Sequence, residues 1–174
     1  MTLIHSLISD VDVENGHIGY VGDLTEDVEG LETHEFMAPS ADLINKERVV
    51  LVANPEWNYD ETRRTNQALY NYINEADTPF RSYDLIVHDV YAVTKEGINY
   101  GSAEAPEVGK YVIAEAGKTT VKMVEKAETS GQGFVGKITG VAKRGIGWQT
   151  EGGKQYGRPY IVYFIEVLRN DIIG

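Results

Sequence analysis

The sequence predicts an all-β protein: a mainly antiparallel small barrel or sandwich with an N-terminal hairpin region and a long aromatic-rich arm or short helix. Three observations lead there. The run Tyr160 to Leu168, YIVYFIEVL, is too apolar to face water and too rich in β-branched and aromatic residues to favour a helix. The C-terminal half carries further short apolar segments at a spacing of roughly ten residues, each bounded by glycine-rich turn chemistry. No strand pattern alternates with a helical one, so a βαβ architecture is excluded.

In chain order, Val11, Val13, Ile18 and Tyr20 are apolar at every second position on either side of Asn15-Gly16, a dipeptide suited to the positive φ of a tight turn. A hairpin from Ser9 to Val21 follows. Glu32 to Met37 reads as a strand ended by Pro39-Ser40, and Arg48 to Ala53, RVVLVA, as a short buried strand that stops at Asn54-Pro55. Asp84 to Thr94 alternates as one strand with a bulge near His88-Asp89. Lys110 to Glu115, Thr119 to Glu125, Phe134 to Lys143 and the Tyr160 run complete the set. Pro159 precedes the last strand and Arg169-Asn170-Asp171 close it as polar turn formers. The expected organisation is an acidic β region over 1–54, an arm or short helix over 55–83 and a β-barrel domain over 84–174, which one compact domain could also contain.

The segment 55–83 differs in kind. It holds Trp57, Tyr59, Tyr70, Tyr72, Phe80 and Tyr83, six of the chain's 17 aromatic residues, interleaved with Arg63, Arg64 and Arg81. Helical spacing of Leu69, Tyr72 and Ile73 and a capping box from Asn58 to Glu61 allow a helix; an extended arm packed by its own aromatics fits the same residues. Tyrosine, tryptophan and arginine are the residues enriched at protein interfaces, and the plainer alternative is a satellite core under a loop. Trp57, Tyr59, Arg63, Arg64, Tyr70, Tyr72 and Phe80 are therefore candidate interface residues. Trp148, in a stretch with glycines at 145, 147, 152, 153 and 157, joins them.

Charge is unevenly distributed. Residues 1–60 contain thirteen Asp or Glu against Lys46 and Arg48, which accounts for the whole net charge of −11; residues 61–174 balance. Such a face repels nucleic acid. It reads either as a solubilising surface or as the match to a basic partner. With no cysteine there is neither disulfide framework nor thiol nucleophile, and no leader or membrane-spanning run of apolar residues is recognisable.

Catalytic, cofactor and metal signatures do not assemble. Gly131-Gln132-Gly133-Phe134-Val135-Gly136 matches a dinucleotide fingerprint in letters, but its glycines open a strand where the fingerprint needs a helix. His5, His17, His34 and His88 are scattered, and Ser6, Ser9, Ser40, Ser82, Ser102 and Ser130 lie in no nucleophile elbow. Asp10 to Gly16 approaches a calcium loop with the glycine one place late and no closing glutamate. The expectation is a non-enzymatic protein without cofactor.

The order ENGHIGYVGDL, VVLVANPEWNYDE, RSYDLIVHDVYAVT, VGKYVIAEAGKTTVKMVEKAE and FVGKITGV, followed by an aromatic strand, resembles small tailed-phage virion proteins encoded beside the major capsid protein. VGKYVIAEAGKTTVKMVEK with FVGKI also resembles the strand units of capsid-decoration proteins of the β-tulip type. The resemblance implies a decoration or cement protein on the capsid exterior, held to the major capsid protein and to copies of itself, with a trimer as the natural arrangement. It implies residence in the virion and, before assembly, in the host cytoplasm, without nucleic-acid or membrane partners. An exterior receptor- or carbohydrate-binding module using Trp148, and a head-tail connector or tail component, are the alternatives.

Overall fold

The computed structural model describes residues 3–25, 32–56, 72–144, 148–149, 155–156 and 160–173. The protein is all-β. Its strands are β1 (Ile4–Ile8), β2 (Ile18–Thr25), β3 (Thr33–Met37), β4 (Val50–Val52), β5 (Phe80–Asp84), β6 (Val90–Thr94), β7 (Ile98–Asn99), β8 (Tyr111–Ala114), β9 (Val121–Val124), β10 (Phe134–Arg144), β11 (Trp148–Gln149), β12 (Gln155–Tyr156) and β13 (Tyr160–Asn170). Strands β1-β3-β2-β4-β5 close into a barrel; β6-β13-β10-β8-β9-β7 form a six-stranded sheet, and β11 and β12 pair with each other. Pairing is antiparallel except for β1 with β3 and β7 with β9.

The β2–β4 wall explains why Val49 to Ala53, VVLVA, is apolar throughout. Successive side chains in a strand point to opposite faces. Val50 and Val52 therefore enter the barrel interior with Leu7, Val13 and Phe80, while Val49 and Leu51 face the other way, into a second core shared with the sheet. Ile18 and Tyr20 of β2 join that shared core, and Val21 joins the barrel's. A wall covered on both sides has no polar face to alternate with.

The Tyr160 run lies inside the sheet, hydrogen-bonded to β10 on one side and β6 on the other. Val162, Tyr163, Ile165 and Val167 are buried; Tyr160 and Ile161 are exposed at the start of the strand, and Leu168 is exposed on the face opposite Val167. The glycines of the 131–136 motif serve the strand reading. Gly131 takes φ +74° in the turn, and Gly136 lies where a Cβ would come within 2.7 Å of Ile165 and 2.8 Å of Val112.

Four expectations need correction. The Asn15-Gly16 turn forms, with φ +88° at Gly16, but its flanks are not a hairpin: β2 pairs with β3 and β4, while Val13 bridges Asn74. Asp84 to Thr94 is not one strand. His88 adopts φ +76°, and the chain crosses there from β5 in the barrel to β6 in the sheet. The segment 55–83 is not arm or helix throughout, since Phe80 to Asp84 is β5 and Tyr72 to Glu75 is not helical, while 57–71 lies outside the described residues. Finally, Arg169 and Asn170 extend β13 instead of closing it. The Asn170 amide, buried, accepts from Val49 N–H at 2.8 Å and donates to the carbonyls of Val49 and Leu85, each at 2.8 Å. One side chain thus ties the sheet to the barrel across 121 positions of sequence.

Candidate functional site

A cleft of about 820 Å³ opens between the barrel rim and the outer end of the sheet. Leu51 to Glu56 and Tyr83 form its barrel wall, with Asn15 and Gly16 beside them; Ala92 to Thr94, Arg144, Tyr160 and Val162 form the sheet wall. Cross-strand register explains the second wall. Thr94 lies opposite Val162 and Ala142 opposite Val162 on its other side, so the ends of β6, β13 and β10 come level there. Arg144 lies opposite Tyr160 and places its guanidinium 5.8 Å from the centre of the Phe164 ring, a cation–π contact.

A network of amides forms the base of the barrel wall. Asn15 donates to the Asn54 carbonyl at 2.9 Å and accepts from Asn54 N–H at 3.0 Å. Asn54 donates to the Tyr72 hydroxyl at 2.8 Å, which donates to Asn74 at 3.2 Å; Asn74 donates to the Val13 carbonyl at 2.9 Å. Asn54 and Tyr72 lie on either side of residues 57–71, so this network clasps the two ends of that segment together. Asn74 is buried and Asn15, Asn54 and Tyr72 are half-buried, so breaking the Asn74 bonds strands polar groups away from water.

The expected interface residues now separate. Trp57, Tyr59, Arg63, Arg64 and Tyr70 lie outside the described residues. Tyr72 uses its hydroxyl inside the clasp. Phe80 is 3% exposed and meets Phe36 edge-on at 5.6 Å within the barrel core, so its ring is not at the surface. Trp148 belongs to β11, opposite Tyr156, and its side chain lies outside the described set. The structure does bring the points of departure together: Glu56, which precedes Trp57, and Arg144 and Tyr160, which bracket the Trp148 stretch, all line the one cleft.

Other polar groups are accounted for by the fold. His5, Ser82 and Asp84 share one face at the end of the barrel, and the His5 ring lies 2.9 Å from the Asp84 carboxylate. The Ser82 hydroxyl, however, is fully buried and has no hydrogen-bond partner, so it presents no nucleophile to solvent. Burial pushes the Tyr20 phenol up to about 12, with the Glu47 charge adding to it. The Glu115 carboxyl is held below its usual range, first by the hydrogen bond from Asn99 and then by Lys122 at 3.2 Å. Among the described residues no group of three or more histidine, aspartate or glutamate side chains could hold a metal ion, and no helix is long and apolar enough to cross a membrane.

Sequence reasoning missed Asn54, Asn74, Asn170 and Arg144. Asn54 had a signal as a strand breaker before proline; its partners lie 39 and 18 positions away, where no local pattern reaches. No family model, curated protein or solved structure matches this chain.

Proposed function

We propose that this chain is a non-enzymatic docking protein of the capsid-decoration type, which binds the lattice of a phage major capsid protein and stabilises the head. The reading rests on the ordered resemblance of its segments to tailed-phage virion proteins. The observation that best supports it is the gathering of two aromatic-bearing segments at one place: residues 57–71, with Trp57, Tyr59, Arg63, Arg64 and Tyr70, and the Trp148 stretch both leave from the rim of the same cleft. Paired barrel and sheet give those segments a stiff mount, and a stiff mount lowers the ordering entropy lost on docking.

Copies arranged around a local three-fold axis would close a ring over neighbouring capsid subunits. Binding only the mature lattice would lower that state's free energy according to affinity and occupancy, which is how a cement raises particle stability. The test is copy number and heat resistance in purified particles. Hundreds of copies per particle, together with earlier heat disruption of stripped shells and recovery on adding the protein back, is the expected result. About a dozen copies would mark a connector component, and stripped shells as heat-resistant as intact ones would refute a cementing role.

A further inference from the structure

The two edges of the six-stranded sheet are built differently. Edge strand β7 has only two residues, which blunts it. Edge strand β6, VYAVT, has five, with no charge and no proline, and Val90 on it is 58% exposed. Among the described residues β6 pairs only with β13, so every second N–H and C=O along it points away from the sheet without a backbone partner. An uncharged edge of this length is a template for another strand, and proteins that do not use one normally guard it with lysine, proline or a bulge.

The far end of β6 opens into the 820 Å³ cleft, whose lining includes half-buried Leu51 and Tyr83 and exposed Pro55 and Tyr160. Arg144 stands at its sheet wall, exposed and without an ion pair among the described residues. We propose that this cleft takes an extended segment of a partner protein, added as an antiparallel or parallel strand to the free edge of β6, with a carboxylate side chain set against Arg144. Main-chain hydrogen bonds to β6 supply the register, the accessible Leu51, Pro55, Tyr83 and Tyr160 side chains meet alternate side chains of the segment, and the guanidinium selects an acidic one. Five paired residues span about 17 Å, so a segment of five to seven residues, roughly the length of β6, is the unit recognised. The inference deepens the docking reading given above by naming the partner's chemistry.

The test has two arms, both on the full chain. Hydrogen exchange followed by NMR in dilute solution reads the edge directly: the β6 amides that face away from β13 should exchange freely, while their neighbours bonded to β13 stay protected. Protection of both sets would mean that the chain covers its own edge, through 57–71 or 145–159, or that two copies pair there, and either overturns the proposal. In the second arm a random heptapeptide display library is selected on the protein. Enriched sequences should alternate apolar residues and carry an aspartate or glutamate, and they should bind at least about tenfold more weakly to Arg144→Glu and to Ala92→Lys. Both positions are exposed, so unchanged thermal melting verifies the fold.

No enrichment, or binding indifferent to both substitutions, overturns the proposal. If the variants still dock on particles at full copy number, the cleft assignment fails and the docking function stands. Peptide binding by a chain absent from particles does the reverse: it upholds the cleft and refutes docking on a capsid.

Discussion

The barrel keeps Leu7, Val13, Val50, Val52 and Phe80 as a core of its own, whereas the core on the sheet side draws Ile18, Tyr20 and Val49 from the barrel together with residues from β6, β8, β9, β10 and β13. The barrel interior is small and includes polar groups at one end, His5, Ser82 and Asp84; the shared core is larger, and its one orphaned polar atom among the described residues is the Tyr91 hydroxyl. Stability by burial scales with apolar area removed from water, so the shared core dominates and the barrel depends on the sheet for one of its walls. This difference suits the roles proposed for them: the sheet supplies stiffness, and the barrel carries much of the acidic surface and clasps the aromatic segment at its rim.

The largest effect expected is that of Phe80→Ala. The ring fills the barrel centre against Phe36, and its loss should cost about 3–5 kcal/mol in denaturant unfolding. Its companion, Ile165→Ala in the shared core, should cost about 2–5 kcal/mol. If the Phe80 variant shows a separate early transition while the Ile165 variant unfolds in one step, the barrel is the dependent partner. The opposite pattern reverses the comparison.

Next in size is Asn170→Ala, which strands Val49 N–H and the carbonyls of Val49 and Leu85 in a buried place. A loss of roughly 3 kcal/mol is expected, with a lower m-value if barrel and sheet then unfold apart. Gly136→Ala tests the sheet side alone. A methyl there presses on Ile165 and Val112, and overpacking should cost about 1–3 kcal/mol, recovered in part by Ile165→Val.

Much of the sheet was legible because its signals are local. Apolar runs at β8, β9, β10 and β13 and the glycine turns between them fall where alternation and turn chemistry place them. What escaped was set at long range. Asn15-Gly16 is a turn in sequence and in structure, yet its flanks take distant partners: Val13 bridges Asn74, and β2 pairs with β3 and β4. Asp84 to Thr94 reads as one strand because both halves alternate; only tertiary packing splits it at His88. Of the expected interface residues, Phe80 has the right chemistry in the wrong surroundings, buried in the barrel core. An aromatic ring carries the same letter in a core, a clasp or a docking face, and the amides that distinguish these lie tens of residues away.

The smallest effect expected concerns the contact between the two regions. His17 follows the Gly16 turn; its ring lies 2.9 Å from the Thr119 hydroxyl of the sheet side, and the next residue, Ile18, donates its N–H to the Thr119 carbonyl at 2.7 Å. Burial lowers the His17 pKa below 6.5, an effect only partly offset by the Glu14 carboxylate 4.0 Å away. In the unfolded chain this histidine takes up its proton near 6.5, whereas in the folded protein it does so only at lower pH. The unfolded state therefore binds more protons across that window, and stability contributed by neutral His17 is present above it and declines as the pH falls through it. His17→Gln keeps a polar group toward Thr119 but does not titrate. Melting temperatures of the two chains should converge as the pH is lowered from 7 toward 5, and a constant gap between them would show that the barrel–sheet contact is indifferent to this proton.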